Sequence, residues 1–133
     1  MKFKYKKYGQ NTLRPVIDLK VKFANKEIRY HALVDSGADF CLFHAEVAEV
    51  LGINVNKGKK GIVTGVGGKS SQYFIHKVTV EIGGWDYIIN VGFLPTIGGR
   101  SAPYGIVGQD GFFKHFKVIF DRANEEIELK NKQ

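Results

Sequence analysis

ALVDSGADF, residues 32–40, runs an apolar segment straight into an acid and turns at once. Asp35 is followed by a hydroxyl, a glycine and a small residue, and then by a second acid, Asp39. Asp-Ser-Gly often closes a strand, because short polar side chains bond nearby backbone and glycine turns freely. Taken alone, Asp35 is either a turn residue or a reagent. The residues leading into it have the period of a strand: Ile28, Tyr30, Ala32 and Val34 alternate with Glu27, Arg29 and His31. Ile17, Leu19, Val21 and Phe23 alternate in the same way with Asp18, Lys20 and Lys22, and Ala24-Asn25-Lys26 supplies a turn between the two runs. The stretch therefore ends the second strand of a hairpin.

Farther along, strand patterns continue. Val78, Val80 and Ile82 alternate with Lys77, Thr79 and Glu81, and Gly83-Gly84 is a two-residue hairpin turn. Trp85, Tyr87, Ile89, Val91 and Phe93 follow on one face, then a Gly/Pro-rich loop from Pro95 to about Tyr104. Val118–Phe120 and Ile127–Leu129 read as two last short strands. Helical spacing is confined to Phe43, Val47, Val50 and Leu51, with Gly52 placed as a C-terminal cap, and to Phe112–Phe116 after Asp110. Many short strands with few helices predict a mainly-β domain that closes, or partly closes, into a small barrel.

The 133 residues fit one domain, 1–133, with a core large enough to fold without staples. One cysteine, Cys41, excludes an intrachain disulfide framework. The basic start MKFKYKKYGQ lacks the apolar run of a signal peptide, and no stretch is long enough for a helical membrane span, so a soluble, cytoplasmic or otherwise intracellular protein without membrane contact is expected. The net charge of +7 admits a nucleic-acid partner. The basic residues gather at Lys2–Lys7 and Lys57–Lys60, where Phe3, Tyr5 and Tyr8 are a poor base-stacking platform, so solvated charge is the better reading.

Three other motifs lose their first attraction. Gly68-Lys69-Ser70 ends like a phosphate loop, but Val63 stands where the leading glycine belongs, and Gln72–Ile82 reads as strand where a helix should receive the phosphate. The segment is better read as a glycine-rich hairpin tip. His31, His44, His76 and His115 lack metal-site spacing, so no metal and no cofactor are expected. Cys41 has no evident activating base and reads as a buried thiol.

A second feature decides the reading of Asp35. Tyr104-Gly-Ile-Val-Gly-Gln-Asp110 sets the apolar pair Ile106-Val107 ahead of Gly108, with Phe112, Phe113 and Phe116 beyond. Together with Val34-Asp35-Ser36-Gly37-Ala38, this resembles the signature of retropepsin-like (retroviral-type) aspartic proteases. Arg14–Val21 resembles the strand before the catalytic turn, Gly61–Ser71 resembles the flap, and the parts stand in family order over residues 14–121. The viral members carry arginine after the glycine, where this chain has Gln109, so the charge pairing made by that arginine need not transfer.

The resemblance implies an acid-protease barrel with one short helix near the C-terminus and, optionally, a second after the active-site loop. It implies a flap hairpin at 57–72, while residues 1–13 are a basic N-terminal extension outside the clearest resemblance. It implies an aspartic-type endopeptidase that cuts extended polypeptides as a homodimer, with one catalytic Asp35 per protomer. Ser36, Gly37 and Ala38 would support the active-site loop. Asp39, Gly65, Val66, Gly67, Gly68 and Ile106 would bind substrate. The rivals are a retropepsin-fold binding or dimerisation module without catalysis, and a basic nucleic-acid-binding barrel.

Overall fold

The computed structural model describes residues 1–65, 67–95, 97 and 102–132. The expected hairpin is its first large feature. Strand β4 (Val16–Phe23) pairs antiparallel with β5 (Lys26–Val34), from Phe23↔Lys26 out to Val16↔Leu33, around a two-residue turn at Ala24-Asn25. It is preceded by three short strands, β1 (Lys2–Lys4), β2 (Lys6–Tyr8) and β3 (Thr12–Arg14), of which β2 and β3 form a small hairpin of their own.

After the acidic turn come β6 (Cys41–His44) and the helix α1 (Ala45–Val50). Gly52, at φ +76°, ends that helix as expected: its N–H bonds the Glu49 carbonyl and the Ile53 N–H bonds that of Ala48. Next come β7 (Lys59–Thr64), the long β8 (Ser70–Ile82) and β9 (Trp85–Leu94). Gly83 and Gly84 turn β8 into β9, both at positive φ, which a hairpin loop of two residues requires. The chain ends with β10 (Gly105–Val107), β11 (Phe116–Asp121) and β12 (Glu126–Asn131). Most of the Gly/Pro-rich connection expected between Pro95 and Tyr104 lies outside the described residues.

Six strands close the barrel. The order β4-β5-β10-β6-β9-β8 returns to β4 through Lys20↔Glu81, Val21↔Val80 and Lys22↔Thr79. β7 projects from it, paired only with the first half of β8, from Lys59↔Ile75 to Thr64↔Ser70. Inside, Ile17, Leu19, Val21, Ala32, Val34, Val78, Val80, Ile82, Val91 and Phe93 are buried, matching the alternation read from the sequence. Each of these side chains larger than alanine contributes about 1.5–3 kcal/mol by leaving water. Trp85 shares the register of that face but stands 64% exposed, because it sits at the turn beyond the barrel's rim.

A second sheet, β1-β12-β11, closes one end, and its Ile127 and Leu129 join the same core through Phe112 and Phe116. The helix expected at Phe112–Phe116 is instead a run of turns. Gly111 enters it at φ +94°, and Phe116 is already the first residue of β11, so too few residues remain for a helical nucleus. Among the described residues the one α-helix is α1, after the acidic loop, followed by a single 3-10 turn at Val55–Lys57. No described helix is long and apolar enough to cross a membrane.

Candidate active site

Asp35 is the first residue beyond β5, at the point where the barrel floor opens. β10 lies parallel to β5, with Ile106↔Leu33 and Val107↔Val34, and the Asp35 N–H donates to the Val107 carbonyl at 3.0 Å. Val34 is buried and its N–H bonds the Pro15 carbonyl, so the residue before the acid is fixed on two sides. The turn then closes on itself. The Gly37 N–H donates to Asp35 Oδ1 at 2.9 Å, and the Ala38 N–H to the Asp35 carbonyl at 3.2 Å. A Cβ on Gly37 would lie 3.3 Å from that carboxylate oxygen, a tight contact that glycine avoids.

The segment after β10 crosses beneath the turn and braces it. The Gln109 N–H donates to the Ala38 carbonyl at 2.9 Å, the Asp110 N–H to the Asp39 carbonyl at 2.8 Å, and the Gln109 side-chain amide to the Ser36 carbonyl at 2.7 Å. The packing is close enough to demand glycine at 108, where a Cβ would stand 2.6 Å from the Ala38 oxygen and 2.7 Å from that of Phe40. The sequence presented Gly108 only as part of a spelling. Its reason is this crossing.

Asp35 is half-buried, whereas Ser36, Gly37 and Asp39 are exposed. Asp39 makes no ion pair among the described residues, while Asp110 pairs with Lys114 at 2.7 Å. Ile106 is half-buried against an apolar cluster of Leu42, Leu94 and Ile97, joined by Phe40, Val63 and Tyr73. Val63 belongs to β7 and Tyr73 to β8, so the base of the projecting hairpin packs on the same cluster as β10. The Tyr73 ring covers Gly61 and Gly92 and stands 5.0 Å from that of Phe40. Apart from Ile106, these wall residues were not singled out for the site in the sequence, because they come from four separate strands and the loops beside them.

The tip of the hairpin is different. Gly67 and Gly68 have φ of +92° and +80°, and a Cβ on Gly65, Gly67 or Gly68 would meet nothing within 4 Å. The fold thus places Asp35–Asp39 and Ile106 together, and holds the glycine tip in open space. Val66 lies outside the described residues.

A cavity of about 330 Å³ opens beside the loop, lined by Phe40, Tyr73, Ile75, Gly92, Asp110 and Lys114 among others. A larger one of about 460 Å³ lies over Asp18, Tyr30 and His31, and neither cavity is lined by any of the expected site residues. Cys41 is fully buried, and burial raises its thiol to about 11, so it is no nucleophile at neutral pH. Among the described residues, no three His, Cys, Asp or Glu side chains gather as metal ligands. Of the loop's two carboxylates, Asp35 is the one held by backbone, through the Gly37 N–H, and Asp39 stands exposed.

Residues 19–110 match the family profile described as aspartyl protease. Among solved structures, a retropepsin-like aspartic protease from Rickettsia conorii is similar over 96% of this chain and 97% of its own, with a TM-score of 0.66 and 17% identity. The EIAV protease complexed with the inhibitor HBY-793 is similar over 77% of this chain and 88% of its own, with a TM-score of 0.53 and 21% identity. At these identities the likeness is one of fold. No curated protein sequence matches the chain.

Proposed function

The chain belongs to the aspartyl protease family, with the retropepsin-like fold, and on that premise we propose that it is an aspartic endopeptidase active as a homodimer. The observation that carries this reading is the Asp35 turn. It is braced at every flank from within the chain, yet it offers a single Asp-Ser-Gly, and hydrolysis by paired carboxylates needs one base and one acid. A two-fold axis beside the turn supplies the second group as the Asp35 of another copy.

Two adjacent carboxylates cannot both ionise cheaply and hold one proton between them, as in the aspartic proteases that serve as the standard instance. The ionised member takes a proton from a water as that water attacks the scissile carbonyl. The protonated member donates a hydrogen bond to the carbonyl oxygen, and its proton passes to the leaving nitrogen as the C–N bond breaks. Atoms balance without a metal or a covalent intermediate.

The neighbours complete the reading. Ser36 bonds across the axis, Gly37 brings its N–H to the carboxylate, and Ala38 leaves room for substrate backbone. Asp39, exposed and free of an ion pair among the described residues, accepts a substrate N–H. The β7–β8 hairpin acts as a flap, its base seated through Val63 and Tyr73 and its Gly65–Gly68 tip free to close over an extended peptide. Ile106 lines the apolar cleft.

The test is digestion of a mixed peptide library by the native chain and by Asp35→Asn, with sedimentation of both. Cleavage by the native chain at acidic to mildly acidic pH, blocked by an aspartic-protease inhibitor and lost in a variant that still dimerises, is the expected result. Full cleavage by Asp35→Asn, or a rate that climbs steadily to about pH 9, overturns the shared-proton dyad.

A further inference from the structure

We propose that Gln109 is a positioning residue that holds the Asp35 carboxylate through a single peptide unit, Ser36–Gly37. The inference rests on the proposed catalytic role of Asp35. Gln109 Nε2 donates to the Ser36 carbonyl at 2.7 Å, and the Gly37 N–H donates to Asp35 Oδ1 at 2.9 Å. That carbonyl and that N–H are the two ends of one planar amide. In a trans amide they point in opposite directions, so a donor on one side and a carboxylate on the other fix the plane between them.

The two bonds also reinforce each other. A carbonyl that accepts a hydrogen bond polarises its amide and makes the N–H a better donor. Gln109 therefore acts on Asp35 without touching it. The side-chain orientation is chemically determined, since only the amide nitrogen, not Oε1, can face a carbonyl oxygen. The main chain of the same residue holds the opposite flank of Gly37, through its N–H to the Ala38 carbonyl at 2.9 Å. Gly108 and Asp110 lock that main chain in turn, by the close approach to Ala38 and by the bond to the Asp39 carbonyl. Ser36 and Gly37 are solvent-exposed in the single protomer, where without the clasp water competes for both ends of the peptide unit.

The choice of amide has a consequence. An arginine at 109 would seek a carboxylate, and a carboxylate partner is lost when acid protonates it. The glutamine amide does not ionise, and its acceptor is a carbonyl. The clasp therefore keeps its strength over the pH range in which a carboxylate pair works.

The test compares Gln109→Met, which removes the donor at similar length, with Gln109→Lys, which returns one. Two readouts are taken on the full chain: kcat and KM for the best-cleaved peptide of a mixed fluorogenic library, and the Gly37 amide proton resonance by NMR. Gln109→Met is expected to lower kcat about two- to tenfold, the range of one neutral hydrogen bond, with KM little changed. Its Gly37 proton moves upfield, and Gln109→Lys restores both readouts. An unmoved Gly37 resonance in Gln109→Met, or a loss confined to KM, overturns the proposal. Should Gln109→Met fail to fold, Gln109→Glu replaces it: its Gly37 resonance differs from the native one at neutral pH and returns toward it when the new carboxyl is protonated, and no difference at neutral pH overturns the proposal. If even the native chain cleaves nothing, the catalytic reading of Asp35 fails, while the Gly37 resonance still decides whether Gln109 holds the turn.

Discussion

Single residues of this chain are placed by contacts that are local at one end and remote at the other. Asp35 was legible because two distant motifs, Val34–Ala38 and Tyr104–Asp110, match one signature together, and the groups that hold it, Gly37 and the backbone of Val107, lie in those two motifs. Gln109 was legible only as a departure from an arginine; its bond to Ser36 required the fold. His44 gave no signal at all. It is buried, its Nδ1 lies 2.6 Å from the Tyr30 hydroxyl, and its Nε2 has no partner among the described residues. The same hydroxyl also accepts the His44 backbone N–H at 3.2 Å. Burial pushes Tyr30 up to about 12 and His44 below its ordinary 6.5. The sign follows directly. Above 6.5 neither folded nor unfolded chain charges this ring. Below it the unfolded chain takes a proton that the folded chain resists, so stability falls as pH falls. A series of melting curves between about pH 7 and pH 5 should show a shallower loss of Tm for His44→Gln than for the native chain; equal slopes would remove His44 from the account.

Elements were the most legible scale, since alternation with period two identifies strands whatever they pack against. β4, β5, β8 and β9 carry the expected inward faces. The misplaced element was the helix after Asp110: the spacing of Phe112, Phe113 and Phe116 was read as helical, and the same residues serve a turn whose rings fill the gap between barrel and terminal sheet. Two turns retain a local conflict, with Ala24 and Glu125 both at positive φ. The β4–β5 turn puts Ala24 at φ +53°, a conformation that costs an L-residue with a Cβ about 1–2 kcal/mol. Ala24→Gly relieves that cost and adds chain entropy to the unfolded state, leaving a net gain of about 0.5–1 kcal/mol. Chemical denaturation should report a higher midpoint with an unchanged slope. A lower midpoint would mean that the turn conformation is not maintained in solution.

The whole molecule adds what no element contains. The chain termini pair with each other inside one copy, β1 to β12 and β12 to β11, and the N-terminal ammonium donates to the Leu129 carbonyl at 3.0 Å. The proposed dimer therefore forms between folded units, each with a charge of +7. Like net charges repel over about a Debye length, roughly 8–10 Å at moderate salt, and screening weakens that repulsion. Specific activity should fall on dilution as the dimer dissociates, and added salt should shift that fall to lower protein concentration. Full specific activity at a concentration where sedimentation finds only monomer would end the two-copy reading.

By itself the sequence determined the class of the fold, the hairpin that leads into Asp35, the glycines of its turns and the family to which it belongs. These are properties of near neighbours in the chain, where side-chain alternation and backbone freedom act within a few residues. Only the tertiary structure decided that Gly108 must lack a Cβ, that Gln109 clasps Ser36, that Val63 and Tyr73 share a wall with Ile106, and that the basic N-terminus is a strand of the closing sheet. Those facts depend on which distant segments are brought within hydrogen-bonding distance, and barrel closure, not local pattern, sets those distances.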